Sequence, residues 1–543
     1  MDTCLTKKKS NSAIVHNEEK DYLLWVLSFF IIFVTIVVRI RLLDIPFERD
    51  EGEYAYTARL ILSGIPPYLE AYDLKMPLLH CFYASFLYFF GDSVKGVHTG
   101  LLLVNGLTVV CMFFIGRRLY CPSGGVLSAS AFAVLSLSQR VYGFSANAEP
   151  LLLLPVLCGV LFLTGSQSSK RMTSVFFAGI FFGIAFMIKQ TAIFFILFAL
   201  CYTLACDYKT KKPSAISTFK GTFFLGAGVL IPFLVVSFAL FWAGAFENFL
   251  FWTFRYAYSY GVSTPIDIGL KSLKNALTWV LPPVLVFWSA AGVFLMILVA
   301  RGRKSQETFF SIVFFLFSVL SVSAGLYFRE HYFILLLPAV SLFFAGGAIH
   351  LREYCKKKIW GQTVQAGILC AAVLHTFYSE RAYLFHYTPE EVSRNTFTLN
   401  PFAESKEIAG YIKRHSTPEE RLAVLGSEPQ LFFYAERLSA TRHIVMYPLM
   451  HPNALDMQME LIRDIENAAP KFLVFVKVPG SWGLKTESKK LVFSWVNTFV
   501  EKHYIKTGVV EIVPPEPPKF YWEDEVEKRR EDISNGVYIF KRR

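Results

Sequence analysis

Along the first ~380 positions of the chain, apolar blocks recur that are long enough to cross a ~30 Å hydrocarbon core, which takes roughly 20 residues of helix each; beyond that point they stop. The first run, Tyr22 to Leu43, follows a polar head (residues 1–21) and is too long for the apolar region of a signal peptide, so it predicts an uncleaved first span. Single spans are predicted over Val97–Ile115, Gly221–Ala243, Thr278–Val299 and Gln362–Phe377. Three further apolar stretches are predicted as hairpins: Val126–Thr164 turning at Asn147-Ala148-Glu149-Pro150, residues 171–208 turning at Lys189-Gln190, and Phe309–His350 turning at Arg329-Glu330-His331. Pro77–Phe90 is apolar but short, which predicts an interfacial or re-entrant segment, and Phe246–Leu277 reads as an aromatic, partly amphipathic loop. The expected fold is an α-helical polytopic membrane protein of about eleven spans, residues 22–380, with a loop at 44–96 after the first span.

From residue 381 to 543 the pattern changes to charged positions, helix-like stretches such as Glu404–Arg414, and short β-rich runs at Arg421–Gly426, Lys471–Val478, Gly508–Val513 and Gly536–Lys541. Asp464–Pro470 resembles a helix end before a strand, and Pro514-Pro515-Glu516-Pro517-Pro518 a stiff exposed loop. A C-terminal soluble α/β domain is expected there.

Composition supports the membrane reading: 54% of residues are hydrophobic and 18% charged, and mean hydropathy is +0.42. The net charge of +12 would raise the question of nucleic acid in a soluble chain. Here the Lys and Arg residues cluster at Lys7–Lys9, Arg117-Arg118, Lys170-Arg171, Lys209–Lys212, Arg301–Lys304 and Lys356–Lys358, between apolar blocks. That is the pattern of cytoplasmic loops, so no nucleic-acid partner is expected. If all these clusters are cytoplasmic, an even number of spans separates each neighbouring pair. The parity puts the N-terminus inside and the C-terminal domain outside. The nine cysteines all precede residue 381 and form no zinc or disulfide framework.

The same parity gathers chemistry on one face. Glu48, Asp50, Glu51 and Glu53 lie just after the first span, and four carboxylates so close repel one another unless a proton or a divalent cation sits among them. Asp73 and Lys75 follow in the same loop, and Glu149, Lys189, Arg329 and His331 fall at the same ends of other spans. Acids beside Lys and Arg at the mouth of an apolar bundle suit a substrate with a phosphate head and a greasy tail. Each residue also has a plainer reading. The acidic cluster reads as a solvated loop, Lys189 as a snorkelling interfacial lysine, Arg329 as a structural partner of Glu330 or of an acid from the first loop, His331 as a packed histidine, and Glu149 as a helix-start residue before Pro150. The aromatic residues from Trp252 to Tyr260 read as an interfacial belt.

Asp50-Glu51-Gly52-Glu53-Tyr54-Ala55, then Ser63-Gly64 and Lys75-Met76-Pro77-Leu78-Leu79, resemble the first outer loop of GT-C glycosyltransferases, in particular bacterial relatives of protein O-mannosyltransferases and aminoarabinose transferase. Gly116-Arg117-Arg118-Leu119-Tyr120, Lys189-Gln190, His331-Tyr332-Phe333 to Leu337-Pro338, and Gly426-Ser427-Glu428-Pro429-Gln430 resemble further landmarks of that family. The resemblance implies the GT-C architecture, a polyprenyl-phosphate-linked sugar as donor within membrane lipid, and inverting transfer of a hexosyl or pentosyl residue to a glycolipid, polysaccharide or protein acceptor on the extracytoplasmic face. It makes Asp50 the catalytic acidic residue, with Glu51 its neighbour in the family's acidic pair. It makes Lys75 the phosphate ligand with Arg329 as a second charge, and assigns Glu53, Asp73, Glu149, Lys189 and His331 to substrate binding. Where aminoarabinose transferases carry Glu before the loop lysine, this chain has Leu74, which argues against aminoarabinose as the sugar and against a divalent metal shared with His331. A bacterial inner membrane is the expected location. A transporter or flippase for a lipid-linked or anionic solute is the main alternative class of function, and would call for internal repeats and midplane charges that the chain does not show; a non-catalytic membrane subunit whose outer domain binds a partner is a second, and would leave the acidic cluster replaceable.

Overall fold

The computed structural model describes residues 22–165, 171–208, 215–300, 306–354, 358–485, 487–528 and 532–543. The polar head and the basic clusters at Lys7–Lys9, Lys170, Lys209–Lys212, Arg301–Lys304 and Lys356-Lys357 lie outside the described residues.

Nine helices build the first half: α1 Tyr22–Arg41, α2 Arg49–Leu62, α3 Pro77–Phe90, α4 Val94–Leu119, α5 Pro122–Leu135, α6 Ala148–Thr164, α7 Arg171–Phe186, α8 Ile193–Tyr208 and α9 Ala215–Trp242. Longer helices over Ile266–Val280, Leu285–Ala300, Gln306–Ser323, Leu337–Tyr354 and Lys358–Ser379 complete the bundle. Its interior is a continuous apolar core, while Val26, Phe29, Phe33, Phe219, Leu234 and Phe238 point outward, as side chains covered by lipid do. Close helix approach uses small residues. A Cβ on Gly179 of α7 would stand 2.3 Å from the Leu225 carbonyl oxygen of α9, and one on Gly228 would stand 2.2 Å from that of Phe176. The chain is a multi-pass membrane protein.

Several sequence expectations are corrected. The expected count of eleven spans is not confirmed: among the described residues six helices are long and apolar enough to cross a membrane, with five shorter apolar helices beside them. The halves of the first two predicted hairpins are apolar but short: α5, α6, α7 and α8 have 14, 17, 16 and 16 residues. At 1.5 Å per residue they reach roughly 21–26 Å, because their polar turns take up part of each run. The span expected from Thr278 begins instead at Pro282, since Thr278 closes the preceding helix Ile266–Val280 and Pro282-Pro283 cannot continue its hydrogen bonds. The acidic cluster is not a loop, because it opens α2.

The C-terminal domain carries a five-stranded sheet in the order β1-β2-β5-β3-β4, with β1 Leu422–Leu425, β2 Phe472–Lys477, β3 Tyr504–Glu511, β4 Lys519–Trp522 and β5 Gly536–Arg542. β1 and β2 are parallel and the remaining neighbours antiparallel. Strand alternation divides the core. Leu422 and Val424 face the helices Ser405–Arg414 and Gln430–Ala435, while Ala423 and Leu425 face Leu455–Ala468 and Leu491–His503. β3 starts at Tyr504 rather than Gly508 because a register shift between Lys506 and Gly508 breaks its alternation, and β4 was not anticipated.

The two parts share α2. Tyr54, Ala55 and Ala58 belong to the bundle core, whereas Tyr56 and Leu60, with Ala71, belong to the core of the C-terminal domain. Residues 383–402 also lie on the bundle, where Tyr383, Val392, Phe397 and Phe402 pack with Val38, Leu42 and Phe144.

Candidate active site

The site begins with a capping arrangement. Glu48 takes the N-cap of α2, accepting from the Glu51 backbone N–H at 3.2 Å, while the Glu51 carboxylate accepts from the Glu48 N–H. This starts the helix at Arg49, and 100° per residue then sorts its side chains onto three faces. Asp50, Glu53 and Thr57 share one face, Glu51, Ala55 and Ala58 a second, and Arg49, Gly52 and Tyr56 a third.

The first face closes a cavity of roughly 520 Å³. Its polar end holds Asp50, Glu53, Asp73, Lys75, Lys189 and Arg329, so six of the nine predicted residues line one space. Its opposite wall is apolar and aromatic, with Phe186 from α7, Ile193 from α8, and Trp252 and Phe254 from the helical turn Phe251–Tyr256 that follows α9, and the C-terminal domain adds Val445, Tyr447 and Pro448. The Lys75 ammonium lies 3.6 Å from Asp50 Oδ2 and 4.9 Å from the centre of the Tyr54 ring, and the Tyr54 hydroxyl donates to the same Asp50 oxygen at 3.4 Å.

The strap bearing Lys75 is fixed by its backbone. Asp73 Oδ1 accepts from the Lys75 N–H at 2.9 Å, the Tyr68 hydroxyl donates to the Lys75 carbonyl at 2.6 Å, and the Gln190 amide donates to the Leu74 carbonyl at 2.8 Å. Buried His80 lies 3.0 Å from the other Asp73 oxygen. Asp73 therefore shapes the strap as much as it lines the cavity.

Charge differs sharply between neighbouring carboxyls. Burial alone would raise the Asp50 carboxyl, but Lys75, with help from His331, Arg329 and Arg49, overrides it and holds Asp50 well below the usual range. Burial, and then the charge of Asp73, push Glu53 well above that range, with Asp50 and Glu48 adding to the effect against Lys75. Burial opposes the charge on Lys75, yet Asp50, Asp73 and Glu53 raise it well above an ordinary lysine. The cavity thus sets a depressed carboxyl at Asp50, beside the Lys75 ammonium, against a raised one at Glu53.

The other predicted residues lie outside the cavity lining. Glu51 is fully buried on the bundle side, where its Oε1 accepts from the Ala146 N–H at 2.6 Å and meets His98 Nε2 at 2.9 Å. This places it as a fastening of α2 rather than beside Asp50. Glu149 sits behind Lys189 and accepts its hydrogen bond, with His331 Nε2 at 3.9 Å. Lys189 also lies 4.2 Å from the Tyr332 ring centre, and His331 stacks on Tyr142. The Arg329 guanidinium has no hydrogen bond or ion pair among the described residues, so it is the one left for a ligand. Among those residues no three of His, Cys, Asp or Glu converge as a metal site.

Tyr54, Tyr332, Tyr447 and Arg49 are site residues that sequence reasoning missed. Arg49 stands inside the acidic cluster, but its partners lie more than 350 positions away.

The Lys189–Glu149 pair gives a stability prediction. Lys189→Met leaves a buried carboxylate without its hydrogen-bonded cation, which costs about 3–5 kcal/mol in buried pairs. The expected result is a lowered unfolding midpoint in detergent, most of it regained when Glu149→Gln is added. Equal stability of Lys189→Met and wild type would show that the pair is solvated rather than buried.

Residues 75–242 match the family described as dolichyl-phosphate-mannose-protein mannosyltransferase. That segment contains Lys75, Glu149 and Lys189 and begins after Asp50. No curated protein matches the chain. Among solved structures, ArnT from Cupriavidus metallidurans bound to undecaprenyl phosphate superposes over 95% of this chain and 98% of its own, at a TM-score of 0.61 and 14% identity. The chain carries the GT-C fold. A second structure with this GT-C fold, the Archaeoglobus fulgidus oligosaccharyltransferase in the apo form, matches at a TM-score of 0.55 and 11% identity, over 92% of this chain and 74% of its own. The Archaeoglobus fulgidus enzyme AglB in complex with an inhibitory peptide and a dolichol-phosphate matches at 0.52 and 10% identity, with the same coverages. At these identities the GT-C likeness is one of fold.

Proposed function

We propose that the chain is an inverting glycosyltransferase that moves a sugar from a polyprenyl-phosphate donor to an acceptor hydroxyl on the extracytoplasmic face of the membrane. The observation that carries this reading is the pairing, in one cavity, of the Asp50 carboxylate and two cations, Lys75 and unpartnered Arg329, with an apolar and aromatic wall that includes Phe186, Ile193, Trp252 and Phe254. The cations suit the donor phosphate and the wall its prenyl chain. The fold shared with ArnT bound to undecaprenyl phosphate supports this class of donor.

Asp50 takes the acceptor proton as the acceptor oxygen bonds to the sugar's anomeric carbon. The bond from that carbon to the phosphate oxygen breaks, and polyprenyl phosphate leaves with its charge held by Lys75 and Arg329. Displacement from the face opposite the leaving phosphate inverts the anomeric centre. Donor phosphate also draws Lys75 away from Asp50, which raises the proton affinity of Asp50 when it must act as a base. Glu53, whose carboxyl is pushed well above the usual range, is the second carboxyl in reach of a sugar or acceptor hydroxyl.

Sidedness is supported by charge. α4 runs from Val94, near the Glu51–His98 contact, to Arg117-Arg118 at its far end, and α7 runs from Arg171 to the turn that holds Lys189. Basic span ends mark the cytoplasmic side, so the cavity belongs at the other. The test is release of radiolabelled sugar from a panel of polyprenyl-phosphate sugars by purified full-length protein supplied with an envelope extract as the source of acceptor. Transfer from one donor with inverted product is expected. A folded protein that turns over none of them would overturn the reading in favour of transport.

A further inference from the structure

The guanidinium of Arg49 leaves the membrane domain altogether. Its Nε donates to the Ser427 carbonyl at 2.7 Å, and Nη2 donates to Asn400 Oδ1 and to the Gly480 carbonyl, each at 3.1 Å. Its Cζ stands 4.9 Å from the centre of the Tyr447 ring, and Glu428 Oε1 lies 3.7 Å from Nη2. Every one of these partners belongs to the C-terminal part of the chain.

The receptor is held together by hydrogen bonds within the C-terminal domain. Glu428 is fully buried, its Oε2 accepts from the Ser481 hydroxyl at 2.6 Å, and its Oε1 has no hydrogen bond, so that oxygen faces the Arg49 cation alone. Ser427 is tied by its N–H to Ser481 and by its hydroxyl to the Met446 N–H. A carboxylate buried at this depth is unfavourable without a cation, and a guanidinium is equally so without acceptors. Gly52, on the same face of α2, lies so close to Gln430 that a Cβ would come within 2.5 Å of its backbone nitrogen.

Asp50 is the residue between. Arg49 and Gly52 are fastened to the C-terminal domain and Glu51 to His98 and Ala146, so the backbone on both sides of Asp50 is held while its side chain projects into the cavity. We infer that Ser427 and Glu428 are positioning residues for the transfer reaction: through Arg49 they aim the Asp50 carboxylate, so the site is composed by both domains. The inference rests on the proposed function for its catalytic meaning and on geometry alone for the clamp.

The test compares full-length wild type, Glu428→Gln and Arg49→Lys in detergent, with Arg421→Ala as control, because Arg421 pairs with Glu70 between the same two parts without touching α2. The readouts are steady-state transfer and amide hydrogen exchange of residues 48–54. For both clamp variants, kcat is expected to fall about tenfold or more while KM for the donor stays within about twofold, the signature of a misaimed base rather than lost binding. Exchange over 48–54 is expected to quicken about tenfold in those variants and stay unchanged in the control. Unchanged exchange in Glu428→Gln, or a kcat loss that the control reproduces, would overturn the clamp. A wild type that transfers no sugar would sink the functional reading instead, and exchange alone would then decide the clamp.

Discussion

Asp50→Asn is expected to lower kcat by about 10²–10⁴-fold, the range that a positioned general base contributes, while changing KM for the donor little. The substitution keeps the size of the side chain and an oxygen for the Tyr54 hydroxyl, which now lies 3.4 Å from Asp50 Oδ2. What it removes is the proton acceptor. The pH profile sharpens the test. Lys75 leads the charges that hold the Asp50 carboxyl well below its usual range against burial, so in the free enzyme it stays ionised as pH falls through the region where an ordinary aspartate of pKa about 3.9 takes up a proton. The wild-type kcat/KM profile should therefore show no acid limb from Asp50 above about pH 4. The same shift has a stability side. A depressed carboxyl contributes stability that is present above the unfolded pKa and is lost as pH falls through the folded one, so the Asp50–Lys75 contact persists into strong acid. Activity of Asp50→Asn within a few-fold of wild type would remove Asp50 from the base role, and Glu53 would be the next carboxyl in the cavity to test.

Much of this arrangement is legible in the chain because a lipid surround leaves few choices. Backbone groups in hydrocarbon must bond within helices, so long apolar runs announce spans, and polar residues at their ends mark where the chain meets water. Lys189, Arg329 and the acids after the first span are placed at one end of the bundle on that argument, and Lys75 by its position in the first loop; Lys189, Arg329, Lys75, Asp50 and Glu53 reach one cavity, while Glu48 caps α2 and Glu51 fastens it to the bundle. The short helices α5, α6, α7 and α8 escape it because length alone does not say where a hairpin turns. Helix α2 escapes for another reason: its three faces are all buried, one on the cavity, one on the bundle and one on the C-terminal domain, so it shows no clear solvent stripe. The capping spacing from Glu48 to Glu51 was the signal there, with Glu in the place that Ser or Thr more often fills. The partners of Arg49, Glu51 and Tyr447 leave no local signal, because pairing between distant segments has no period to read.

Removing the phosphate-binding charge is expected to be as damaging as removing the base, but in a way that separates the two. Lys75 stands 3.6 Å from Asp50 and Arg329 has no ion pair among the described residues, so donor phosphate has one cation to take from a carboxylate and one already free. Lys75→Met should lower kcat by about 10²–10³-fold, the scale seen when a charge-stabilising donor is removed from a transition state, because the charge that grows on the leaving phosphate then meets one cation instead of two. It should also release Asp50: without the ammonium, burial is opposed only by the weaker effects of His331, Arg329 and Arg49, so that carboxyl rises, an acid limb absent from the wild-type profile should appear, and the rate should fall as pH is lowered through it. Arg329→Met is expected to act mainly on donor binding, raising KM, with no new acid limb, since Lys75 remains beside Asp50. Phosphate competition makes the distinction direct: inorganic phosphate or a short prenyl phosphate should inhibit wild type and lose most of that effect in Arg329→Met. If both variants raise KM alone and leave the pH profile untouched, Lys75 is a binding charge only. The coupling of base and phosphate through one lysine would then have to be abandoned, even with Asp50 retained as the base.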